Sequence, residues 1–174
     1  FNAFKSNNYP ALAKIGLGIH FDREALAKID TPQPLRPRYR LDTSVMAIDL
    51  FPGLSEKILR HQLETPGLKG IVLRTYGAGN ASTAPWFIEA IRRTVERGVV
   101  VLNVTQCVNG GVHANRYVGG GILGSLGVIS GHDLTFEAAI TKMMFLFGMG
   151  IGSAEVARRI AEPIVGEMTL VSPK

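Results

Sequence analysis

Apolar and polar positions along this chain follow two alternating periods. Short apolar runs at 45–51, 71–73 and 99–104 suit strands covered on both faces, and 127–130 suits a fourth, shorter one. Between them apolar residues recur at helical spacing. Helices are predicted at 55–62, at 85–97, from Asp133 or Thr135 to 147, and at 153–161. In the second of these, Ile88, Ile91 and Val95 share a face, Glu89 and Arg93 stand four apart, and Gly98 follows as a C-terminal stop. Ser82 or Thr83 is the expected N-cap ahead of Pro85. Phe136, Ile140, Met143, Met144 and Phe147 form an apolar stripe that reads as core. Strands alternating with helices predict an α/β fold, a small parallel sheet of about four strands with helices on both faces.

The earlier part of the chain differs. Residues 14–21 alternate Ile15, Leu17, Ile19 and Phe21, a strand period weakened by two glycines. Pro32, Pro34 and Pro37 then give 30–40 the composition of a stiff linker. The expected division is 1–42, the end of a preceding domain plus a linker, and 43–174, the α/β domain. A first residue of Phe1 and not Met suggests a piece of a longer protein.

Composition narrows the function classes. With 46% apolar residues the 174-residue chain is globular, and its net charge of +5 raises nucleic-acid binding. The basic residues, however, are scattered (Arg36, Arg38, Arg40; Arg92, Arg93, Arg97; Arg158, Arg159) without aromatic platforms, so no nucleic-acid partner is expected. A single cysteine excludes an internal disulfide and favours a reducing compartment. No membrane-length apolar run is present, and a cytoplasmic location is expected.

Open α/β sheets bind ligands at the carboxyl ends of their strands. Here those ends read Arg74-Thr75-Tyr76-Gly77-Ala78-Gly79-Asn80 and Asn103-Val104-Thr105-Gln106-Cys107. Arg74 offers a donor fork for a carboxylate, Thr105 a hydroxyl and Gln106 an amide. Two readings stay open: a pocket for an amino-acid-like ligand, or Arg74 paired with a structural carboxylate and Thr105 satisfying loop backbone. Gly119 to Gly124 matches a G-x-G-x-x-G string, but no buried strand precedes it and Asp133 follows too soon for a ribose-binding acid. A nucleotide cofactor is therefore disfavoured. Cys107 has no histidine partner and reads as a buried, inert thiol. The four histidines lack ligand spacing, so no metal is expected; His113 and His132, in glycine-rich loops, are the two of interest. Asp133 reads as a helix cap.

Three stretches together resemble the C-terminal part of bacterial cytoplasmic (type I) L-asparaginases. They are 73–80 (LRTYGAGN), 101–107 (VLNVTQC) and 127–139 (GVISGHDLTFEAA), in the family's order and spacing. Residues 1–4 and 13–21, with Tyr117 and Gly119, also resemble the family pattern. The resemblance implies an amidohydrolase that converts L-asparagine to L-aspartate and ammonia without a cofactor, through a threonine nucleophile and an acyl-enzyme. The family's T-G-G-T-I and T-D-T motifs are not in this chain, and neither Thr43 nor Thr65 has the glycine context. The resemblance thus places no catalytic residue here and implies a partner N-terminal catalytic domain, with a homodimer or tetramer as the whole. By the same resemblance Asn80 helps hold the substrate in a neighbouring subunit's active site. Arg74, Thr105, Gln106 and Cys107 resemble an allosteric asparagine pocket. An acid that secreted asparaginases carry before Tyr117 has no counterpart in 108–116, which fits the cytoplasmic branch. A freestanding amino-acid-binding or regulatory module is the alternative.

Overall fold

The computed structural model describes residues 7–23, 25–26, 37–112 and 118–170, with 118–120 described by backbone alone. The chain divides into two compact units, Phe1–Tyr39 and Arg40–Lys174.

In the first unit the alternating stretch is two strands, not one. β1 (Ala13–Ile15) and β2 (Ile19–Phe21) pair antiparallel, with Ala13 opposite Phe21. Gly16 and Gly18 supply the reversal, and Gly16 N donates to the Gly18 carbonyl at 2.9 Å. Ile15, Leu17, Ile19 and Phe21 are all exposed in this chain. Most of the proline-rich linker lies outside the described residues.

The second unit is built on one parallel sheet in the order β3 (Val45–Asp49), β4 (Gly70–Thr75), β5 (Val100–Thr105), β6 (Ile129–Ser130). β4 and β5 are central among these four and buried nearly throughout, which is why their sequences carry apolar residues on both faces. On one face lie α1 (Glu56–Leu63), α2 (Pro85–Glu96) and α3 (Val118–Ser125). There Leu59, Phe87, Ile91 and Leu123 close over Ile71, Leu73 and Val101. α4 (Phe136–Gly148) and α5 (Ser153–Ile160) take the other face, with Met143, Leu146 and Val156 against Val72, Leu102 and Val104. The expected α/β architecture, a four-stranded parallel sheet with helices on both faces, is the observed one.

Details differ where side chains find other partners. β3 ends at Asp49, two residues early. The N-cap of α2 is Ala84; Ser82 instead accepts from Ala84 N, inside the preceding loop. Thr135 caps α4 by accepting from Ala138 N at 3.2 Å, while Asp133 accepts from Thr169 N and so ties down the later chain. α3 was not expected, because glycines fill its first turn. Gly98 takes a left-handed conformation (φ +82°) just past α2, as its position required. Arg92 and Arg93 share Glu89, with Glu96 also on Arg92, and Arg158 and Arg159 share Glu155, with Glu162 also on Arg158, so these arginines are paired locally around their own helices.

Candidate functional site at the strand ends

β4 leaves the sheet at Thr75 and turns at once. Tyr76 and Asn80 exchange backbone hydrogen bonds, Tyr76 N to Asn80 O at 2.9 Å and Asn80 N to Tyr76 O at 2.8 Å. Gly77 (φ +49°) and Gly79 (φ +105°) supply the left-handed residues that this tight reversal needs. Gly79 also has no room for a side chain: a Cβ there would lie 2.7 Å from Val112 Cγ1 and 3.3 Å from Asn103 Nδ2.

Neighbouring β5 pins this turn. Thr105 Oγ1 donates to the Gly77 carbonyl, and Asn103 Nδ2 donates to the Gly79 carbonyl at 3.3 Å. Buried Thr75 Oγ1 donates to Asn103 Oδ1 at 2.6 Å, so Asn103 bridges strand end and turn. Asn103 was legible only as a polar residue in an apolar run; its role depends on register, in which Thr75 lies beside Thr105 and Leu73 beside Asn103. On the far side Gly131 N donates to Asn103 O at 2.8 Å, and a Cβ on Gly131 would meet Val104 Cγ1 at 2.7 Å. The Asn80 side chain is half-buried on this turn, with no hydrogen-bond partner among the described residues.

Arg74 lies one residue earlier, and strand alternation sends it to the α4 face. Its guanidinium stacks over the Phe136 ring at 4.7 Å, and Nη1 contacts Asp49 Oδ1 at 2.9 Å, its partner in register on β3. Arg74 Nε is buried with no hydrogen-bond partner among the described residues. The four residues expected to act together thus sit at one end of the sheet but not on one side of it. Thr105, paired in register with Thr75, points to the α2 face. Gln106 Nε2 donates to the Leu50 and Arg74 carbonyls at 2.6 and 2.9 Å and closes the ends of β3 and β4. Arg74 and Thr105 therefore make the structural contacts of the second reading.

Cys107 corrects its expectation: the thiol is exposed, not buried. It stands in a loop beyond the sheet, with its backbone N–H on Thr105 Oγ1 at 2.9 Å, and among the described residues no packed element covers it. His132 is half-buried in a left-handed conformation (φ +50°), and its carbonyl accepts from Val112 N at 2.7 Å. His113 and Tyr117 lie outside the described residues. Among the described residues no three His, Cys, Asp or Glu side chains converge as metal ligands, and no helix is long and apolar enough to cross a membrane. A cleft of about 500 Å³ opens on the α2 side, between Leu50, Phe51, Leu54, Tyr76, Trp86 and Phe87. Among the described residues it has no charged wall and so no anchor for an ionic ligand.

Comparison with known proteins supplies the family. The Glutaminase/Asparaginase C-terminal domain matches residues 44–160. The chain is 32% identical over 178 residues to L-asparaginase 1 of Escherichia coli strain K12, covering 97% of this chain and 49% of that protein. It is 36% identical over 170 residues to the human 60 kDa lysophospholipase, covering 97% of this chain and 29% of that protein. Among solved structures, L-asparaginase I from Vibrio cholerae superposes with a TM-score of 0.88 at 33% identity, covering 98% of this chain and 51% of that one. The chain spans about half the length, or less, of these relatives. With a domain match over most of its length and a fold shared at that identity, the chain belongs to the Glutaminase/Asparaginase C-terminal domain family.

Proposed function

We propose that this chain is the C-terminal domain of a cytoplasmic, type I L-asparaginase, which hydrolyses L-asparagine to L-aspartate and ammonia. The nucleophilic threonine belongs to an N-terminal catalytic domain that this sequence does not contain. This chain contributes Asn80 to the substrate contact of a neighbouring subunit in a homodimer or tetramer. Arg74, Thr105, Gln106 and Cys107 form an effector site for asparagine at the strand ends. The observation that carries the reading is the Tyr76–Asn80 turn. Two glycines, Asn103 and Thr105 hold it rigidly, yet the Asn80 amide is left with no partner among the described residues. A fixed amide with free donor and acceptor is what positioning a polar substrate requires.

The test is kinetic. In the whole enzyme Asn80→Ala is expected to lower kcat/KM for L-asparagine by about tenfold or more, the scale of one lost substrate hydrogen bond. The melting temperature should stay unchanged, because the turn is held by its backbone. Unaltered kinetics would remove Asn80 from the site. L-asparagine binding with no hydrolysis by the whole protein would favour a regulatory module instead.

A further inference from the structure

We propose that Asn103 is a positioning residue for the substrate contact: it fixes the peptide before Asn80 and so the direction in which the Asn80 amide points. The proposal rests on the reading of Asn80 given above and adds the group that aims it. Asn103 is a buried amide, 3% exposed, in the otherwise apolar β5 run from Val100 to Val104. A leucine would fill that position without the cost of desolvating an amide, so the group is explained by what it bonds. Its Nδ2 donates to the Gly79 carbonyl at 3.3 Å, and its Oδ1 accepts from Thr75 Oγ1 at 2.6 Å. The Gly79 carbonyl can only accept, so Nδ2 must face it and Oδ1 must face the Thr75 hydroxyl. A flipped amide would set oxygen against oxygen.

The Gly79 carbonyl belongs to the planar peptide that ends at the Asn80 Cα. At the other edge of that plane Asn80 N donates to the Tyr76 carbonyl at 2.8 Å, and beyond the Cα the Asn80 carbonyl accepts from Tyr76 N at 2.9 Å. With the peptides on both sides of the Asn80 Cα held, the direction of its Cα–Cβ bond is set. Two of these three bonds are internal to the turn and move with it. Asn103 supplies the third from the sheet, and among the described residues it is the one side chain that holds this peptide. Its Nδ2 would also lie 3.3 Å from a Cβ on Gly79, so amide and turn are closely packed. Thr105 Oγ1 holds the Gly77 carbonyl, on a different peptide two residues upstream. Thr105 thus anchors the turn, whereas Asn103 aims its last residue. A misdirected Asn80 amide loses its bond to substrate with no change to Asn80 itself.

The experiment is steady-state kinetics of the whole enzyme with L-asparagine, in double-mutant cycles with Asn80→Ala. Asn103→Ala removes the amide. Thr75→Val keeps the shape of its side chain and removes the hydroxyl that holds the amide; as the milder change it carries the test should Asn103→Ala not fold. Each is expected to lower kcat/KM about three- to tenfold, mainly through KM, because a binding contact is misplaced while the nucleophile is untouched. In the Asn80→Ala background the same changes should cost nothing further, since the group they misdirect is gone. Thr94→Val is the control. Thr94, 1% exposed, donates to the Ala90 carbonyl at 2.8 Å within α2 and makes no bond to the turn. Its loss should lower the melting temperature and leave the kinetics unchanged. Full additivity with Asn80→Ala, unaltered kinetics in Asn103→Ala and Thr75→Val, or a matching loss in Thr94→Val would each overturn the positioning role and leave Asn80 in the site. Unaltered kinetics of Asn80→Ala would overturn both readings.

Discussion

Gly79 shows how one residue ties the turn to the sheet. Its φ of +105° is a conformation that side chains rarely adopt, and the space a Cβ would fill belongs to Val112 and Asn103. Backbone strain and overpacking therefore act together at this position. Gly79→Ala should destabilise the protein by about 1–3 kcal/mol, read as a lower urea midpoint with an unchanged slope. In the proposed whole enzyme it should also displace Asn80, so activity there should fall in step. Gly53 offers a control: its φ of +90° is comparable, but nothing lies within 4 Å of a Cβ there, so Gly53→Ala should show the strain alone. At this scale the sequence announced the turn through its glycines and polar strand ends. It concealed that Arg74 spends its terminal nitrogen on Asp49, because a salt bridge between strands depends on register and not on local pattern.

Among elements, what could be read was whatever a local pattern determines. Ile71–Leu73 and the following runs gave the strands because central parallel strands must be apolar on both faces. Helices with one apolar stripe were equally plain. α3 was not, since its glycines oppose a helix and only the apolar surface around Leu123, packed into the core, compensates. The β1–β2 hairpin was hidden for the opposite reason: Ile15 to Phe21 has the period of a half-buried strand, but two glycines fold it back on itself. Caps were split. Thr135 bonds Ala138 N directly and holds the first turn of α4, whereas Ser82 bonds within its own loop. Thr135→Ala should lower stability by about 0.5–2 kcal/mol, and Ser82→Ala by no more than a few tenths, in the same thermal melts.

Seen as a whole molecule, the second unit closes around a buried ion pair that neither composition nor spacing discloses. The Lys142 side chain, 4% exposed, reaches from α4 to Glu167 at 2.7 Å, with the Glu162 carbonyl and Met168 Sδ completing its surroundings. Glu167 in turn accepts from Ile164 N and Val165 N. Burial pushes the Glu167 carboxyl up, but Lys142 and the backbone N–H groups together outweigh it and hold the pKa at about 2, below its usual 4.5. A depressed carboxylate stabilises the fold above its unfolded pKa and loses that contribution as the pH falls from about 4.5 towards 2. The segment after α5 should thus loosen in acid before the sheet does. Glu167→Gln should flatten the dependence of melting temperature on pH in that window. At neutral pH the same variant should melt lower, because it strands the Lys142 charge; a variant as stable as the parent at pH 7 would remove the pair from the account.

The exposed thiol of Cys107 has a practical consequence. It is the chain's single cysteine, and it lies one residue beyond Gln106, whose amide closes the strand ends. A thiol-reactive reagent would therefore attach to this chain at one known position, without mutagenesis, inside the proposed effector site. Asparagine should slow that reaction, so the labelling rate would report ligand arrival at that end of the sheet.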